Sequence, residues 1–126
     1  MSILNDIQQH LLDEGFEDIL RREAPKETND VVWIVESPSP PPNPSIGYYE
    51  QHLDFWGRFR VTQDAIDTLQ DIFNVLHRQA SWDTDNYHIY LSAANSLIED
   101  LDRDMEGRKL MKFSMRFIYR ELEDLS

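Results

Sequence analysis

The run from Lys109 to Arg120, KLMKFSMRFIYR, constrains the fold of this chain more than any other segment. Met111, Phe113, Met115, Phe117 and Tyr119 alternate with Lys112, Ser114, Arg116 and Arg120, a period of two that suits a strand and not a helix. Such a strand buries its large side chains against a core and offers the other face to water or to a neighbour. A second alternating run, Tyr48 to Val61, sets Leu53, Phe55, Phe59 and Val61 against Asp54, Arg58 and Arg60. Trp56 and Gly57 interrupt it and predict a bulge there.

Shorter extended segments are predicted at Glu17 to Arg22, Val31 to Glu36 (VVWIVE) and Tyr87 to Ala94, with Ala24 to Asp30 a polar connection. The acidic stretch Glu99 to Gly107 reads as the loop of a long hairpin. Two segments carry helical spacing instead. Ile3, Leu4, Ile7, Leu11 and Leu12 predict a helix from Ile3 to Glu14, capped by Ser2 and stopped at Gly15. Thr62 is placed to cap a second helix with the stripe Ile66, Leu69, Ile72, Phe73 and Leu76. Asp64 and Asp67 suit its positive end, and His77 and Arg78 the other. The order of elements predicts one α+β domain across residues 1–126: a mainly antiparallel sheet with two helices packed on one face.

Residues 37–47, SPSPPPNPSIG, hold five of the six prolines and can enter neither a helix nor a central strand. They form a Pro-rich loop that serves either as a plain linker or as an interface arm, with Pro40, Pro42, Tyr48 and Tyr49 as candidate contacts.

With 24 acidic and 12 basic residues the formal charge is −12, which repels phosphate backbones and anionic lipid. The absence of cysteine excludes disulfides, thiolate zinc sites and thiol nucleophiles. No apolar run approaches the ~20 residues of a membrane helix, and MSILNDIQQH lacks the pattern of a standard export signal.

Catalytic and metal patterns fail one by one. His10, His52, His77 and His88 fall on different elements, and His52 with Asp54 on one strand face gives two ligands without a third. Asp83 to Asn86 and Asp100 to Asp104 begin like calcium loops. His88 and Ala94 in the first, and Met105 and Met111 in the second, stand where glycine and the bidentate acid belong. No phosphate loop or nucleophile elbow is present. These features predict neither cofactor nor metal, and a binding or structural role.

Arg58 and Arg60 share one strand face, and Lys112, Arg116 and Arg120 another. Were the two strands neighbours, the positive faces would coincide and could meet an acidic patch on an identical subunit; ordinary solvated strand residues explain the spacing as well.

Three stretches, DFWGRFRVTQDAIDTLQDIFNVLHRQ, YHIYLSAANS and DRDMEGRKLMKFSMRFIYR, resemble the tail terminator proteins of long-tailed bacteriophages, often labelled minor capsid proteins. The resemblance spans roughly residues 50–120 and extends more loosely to the N-terminal helix with GFEDIL. It implies a structural virion subunit, made in the bacterial host cytoplasm, that caps the head-proximal end of the tail tube as a hexameric ring. The implied partners are its own copies, the tail tube protein and the head–tail connector protein, with DNA passing through without specific binding. Two other readings are a different connector or neck subunit, separated by ring stoichiometry, and a small acidic inhibitor of a host DNA-binding enzyme, which expects acids arrayed on one face. A metal-dependent hydrolase would instead lose activity on substitution of His52, Asp54 or Asp104.

Overall fold

The computed structural model describes residues 3–38 and 48–125. Among them are helices α1 (Ile3–Asp13) and α2 (Thr62–Leu76) and strands β1 (Ile19–Arg21), β2 (Val31–Ser37), β3 (Tyr49–Phe59), β4 (Gln79–Asp83), β5 (Tyr87–Ala94), β6 (Glu99–Arg103) and β7 (Lys109–Glu121), followed by a 3-10 turn at Leu122–Leu125. The strands form one sheet in the order β1-β2-β3-β7-β5-β4, with β6 also on β7. Every pairing is antiparallel except β1 with β2. The α+β architecture expected from the sequence is the one observed.

Period-two patterning sets the register. Ile34, Phe55 and Phe113 lie side by side on β2, β3 and β7, and Val32, Gly57 and Met111 form the next row. These residues join Leu53, Met115, Phe117 and Ile89 in one core, sealed by Ile3, Leu4, Ile7 and Leu11 of α1 and Ala65, Leu69, Ile72 and Leu76 of α2. Both helices therefore cover the same face of the sheet. Phe113 stacks on Phe55 with centroids 4.8 Å apart and meets Phe73 edge-on at 5.4 Å.

The interruption expected at Trp56 and Gly57 is not a bulge. Pairing with β2 and β7 runs unbroken through both residues, so Trp56 points outward and Gly57 inward, in phase. Glycine stands there because α2 crosses over it: a Cβ at Gly57 would lie 3.1 Å from both Leu69 Cδ1 and Phe59 Cε2. A missing side chain on the inner face thus marks close helix–sheet approach.

Other expectations shift. The first extended segment shrinks to Ile19–Arg21, and β3 ends at Phe59, leaving Val61 exposed at the N-cap of α2. Thr62 does not cap the helix; its hydroxyl accepts a hydrogen bond from Arg103 at 2.9 Å. Ala65 takes the buried position expected of Ile66, and Leu12 is similarly exposed. His77 stands at the C-cap of α2, outside its last turn, and accepts the Ala94 N–H on Nδ1 at 3.0 Å. Gly15, at φ +100°, ends α1 as expected, with the Phe16 N–H bonded to the Leu11 carbonyl at 3.1 Å. The proposed cap at Ser2 and the prolines from Pro40 to Pro44 lie outside the described residues.

Two strands lacked a legible signal. β4 is an edge strand whose side chains are exposed apart from half-buried Trp82. β6 occupies much of the acidic stretch expected to be a loop. β5 pairs Ala94 with Met115, and β6 pairs Glu99 with Lys112 and Arg103 with Lys109 along the same edge of β7. Lys109 holds Asp100 in an ion pair there, so cross-strand charge takes the place of apolar packing. The expected long hairpin exists, with its tip reduced to Asp104–Arg108, where the Asp104 N–H donates to the Arg108 carbonyl at 2.8 Å.

Candidate assembly surface

The face of the sheet turned away from the helices has no covering layer among the described residues. Outward positions of β2, β3 and β7 bring Trp33, Trp56 and Lys112 into one row and place His52 beside Arg116. Across to β5, Arg120 lies beside His88. Trp33 and Trp56 stack with centroids 5.9 Å apart and a 10° interplanar angle. Lys112 Nζ sits 5.0 Å above the Trp56 ring, and the Arg58 guanidinium 5.4 Å from that of Trp33.

The anticipated coincidence of β3 and β7 is real, because the strands are neighbours along their whole length. The cations on them divide into three kinds. Arg58 is buried, and its donors go to backbone carbonyls: Nε to Thr28 at 3.2 Å, and Nη2 to Thr28 at 2.8 Å and to Pro25 at 2.5 Å. Burial, aided by the nearby Arg108 charge, holds its pKa below the ordinary arginine value. Arg60 lies beyond the strand end and is exposed, clasping Asp30 by its backbone N–H at 3.0 Å and by its guanidinium. That hydrogen bonding lowers the Asp30 pKa.

Arg116 and Arg120 are the third kind. Both are half-buried on the outer face, and among the described residues neither forms a hydrogen bond or an ion pair. Several neighbouring carboxylates are already engaged. Glu50 contacts His52 Nε2 at 2.6 Å, Asp83 contacts His88 Nδ1 at 2.5 Å, and Asp54 accepts from the Ser114 hydroxyl. Tyr48 is 37% exposed and meets Tyr90 edge-on at 6.5 Å. Tyr49 instead joins Tyr119 at 5.9 Å on the core side, where burial pushes the Tyr119 pKa up to about 12. The structure thus brings Tyr48, Lys112, Arg116 and Arg120 to the uncovered face and withdraws Tyr49 and Arg58 from it.

Arg108 was not legible as a site residue. It is buried, bonds Asp104 Oδ2 at 2.9 Å and donates to the Lys26 carbonyl at 2.6 Å. With Arg58 it pins the connection before β2 to the rim of the outer face. Nothing in the local sequence distinguishes these two arginines from solvated ones, because the backbone carbonyls they bond lie some 30 to 80 positions away along the chain.

His52 and Asp54 do share the outer face, but Asp54 is spent on Ser114. Among the described residues no group of three or more His, Cys, Asp or Glu side chains is placed to hold a metal ion, and no helix is long and apolar enough to cross a membrane.

Among the described residues the sheet is thus sealed by helices on one side and carries aromatic and unpaired cationic residues on the other. The chain belongs to a bacteriophage tail terminator family: the family model described as bacteriophage tail terminator protein matches residues 5–121. As a member of a phage tail family it is a virion component. No curated protein matches the chain.

Proposed function

We propose that this protein caps the head-proximal end of the phage tail tube as a hexameric ring, halts tube growth and presents a surface to the connector beneath the head. The observation that carries this reading is membership of the terminator family over residues 5–121, which span both helices' cores and all seven strands. An uncovered sheet face with unpaired cations supports a role in which copies and partners dock, and a structural family supports a role without catalysis. The partners are further copies of the chain, the tail tube protein and the connector protein. Synthesis takes place in the host cytoplasm before assembly.

The net charge of −12 fits a conduit that DNA crosses without sticking, since like charge lowers non-specific affinity. The test is tube polymerisation in vitro. Substoichiometric protein, added while tube subunits assemble, arrests elongation and shortens the length distribution. Unaltered tube lengths at saturating protein would refute the capping role.

A further inference from the structure

The two sides of the subunit carry opposite kinds of unpaired charge. α2 contains Asp64, Asp67 and Asp71 and no Lys or Arg. All three aspartates are exposed, and among the described residues none is in an ion pair; Asp67 accepts only from the neutral Gln63 amide at 2.8 Å. Their spacing of three and four residues makes one stripe on the side of the helix opposite Leu69, Ile72 and Leu76. On the far side of the sheet, Arg116 and Arg120 project from β7 with no paired anion among the described residues, and Lys112 continues the column over Trp56.

We propose that the Arg116–Arg120 column of one subunit docks on the Asp64–Asp67–Asp71 stripe of a second copy of this chain. This inference rests on the terminator reading and specifies which faces meet. The lengths agree: residues four apart on a strand are separated by about 13 Å, and Asp64 and Asp71 by about 10 Å along the helix. Because the two patches lie on opposite sides of the sheet–helix sandwich, the contact is head-to-tail. Each subunit gives one face and receives at the other, and such a contact closes into a ring when its rotation permits. A back-to-back dimer through the outer faces would set the arginine columns against one another, which like-charge repulsion opposes.

The contact predicts a charge-swap pattern. Arg116→Glu with Arg120→Glu makes both faces acidic, and Asp67→Lys with Asp71→Lys makes both basic. Each double variant alone binds itself at least about tenfold more weakly than the wild type, since like charges then face each other. An equimolar mixture regains assembly, because every junction between unlike variants is again complementary. The readout is ring formation on tail tubes with unfinished ends, by negative-stain imaging, with circular dichroism melting to show that each variant is folded.

Folded variants that form rings singly as well as the wild type does would overturn this contact and leave the terminator reading standing. Folded variants that fail singly and also when mixed would overturn it too, by showing that the two faces do not meet. Wild-type protein that forms no ring and binds no tube end would remove the terminator reading and this contact together. Tight binding of wild type to a short DNA duplex at physiological salt, lost in the Arg116→Glu/Arg120→Glu variant, would assign the column to nucleic acid instead.

Discussion

The two faces of β7 follow the same alternation and have opposite fates. Inward, Phe113, Met115 and Phe117 are fully buried beneath the helices. Outward, Lys112, Ser114, Arg116 and Ile118 remain half-buried, with a cation on a ring, a hydroxyl on a carboxylate and an arginine without a partner among the described residues. One face is packed into the core, and the other keeps its side chains at the surface, Lys112 and Ser114 with partners in the same chain and Arg116 with none among the described residues. Core residues and residues of the proposed assembly surface therefore alternate along a single strand.

The largest expected effect breaks the inner face. Phe113→Ala removes a ring packed against Phe55 and Phe73 and costs about 3–5 kcal/mol in urea unfolding, while Arg116→Ala stays within about 0.5 kcal/mol. A Phe113→Ala cost no larger than that of Arg116→Ala would contradict the assignment of faces.

The next contrast sets two outward arginines on adjacent strands against each other. Arg58→Met removes three hydrogen bonds to the Thr28 and Pro25 carbonyls and loosens the connection before β2, lowering stability by about 1–3 kcal/mol. Arg116→Met leaves the unfolding midpoint unchanged and weakens assembly. Equal thermal shifts in the two variants would show that Arg116 is also consumed internally.

Gly57→Ala probes the close approach of α2 to β3. Leu69 is fully buried and must give way by a few tenths of an ångström, at a cost of about 1–3 kcal/mol. A neutral result in thermal melting would mean that the helix rides higher on the sheet than described.

The smallest effects are in pH. Tyr119 is held neutral in the folded chain up to about pH 12, whereas an unfolded tyrosine ionises near pH 10. Its contribution is fully present below pH 10 and lost as pH rises towards 12, so Tyr119→Phe flattens the alkaline fall in stability. Asp30 works at the other end of the scale. Its pKa is lowered by Arg60, so its small contribution is present above about pH 4 and lost as pH falls further. Asp30→Asn then flattens the acid limb slightly in a pH-dependent melt.

Much of this division was legible in the sequence because large apolar side chains report the inner face directly. Lys109 to Arg120 needed only its period, and so did both helical stripes apart from Leu12 and Ile66, which are exposed at the stripe edges. β4 and β6 escaped because edge strands are held by backbone pairing and by charges such as Lys109 with Asp100, and acidic composition reads as loop. Gly57 misled because an absent side chain resembles a break in pattern when it marks a close approach of α2 to the sheet. For the candidate surface, spacing placed Lys112, Arg116 and Arg120 together, yet it could not separate Arg58 from them. Whether an arginine is spent depends on residues distant in the chain, here Pro25 and Thr28.

Action at one tube end is tested by imaging the wild-type protein mixed with purified tail tubes, with its mass in solution followed by light scattering. Ring-shaped density confined to one end of each tube is expected, whether the free protein is monomeric or already assembled. Protein scattered along tube walls, or absent from the ends at saturating concentration, would contradict it.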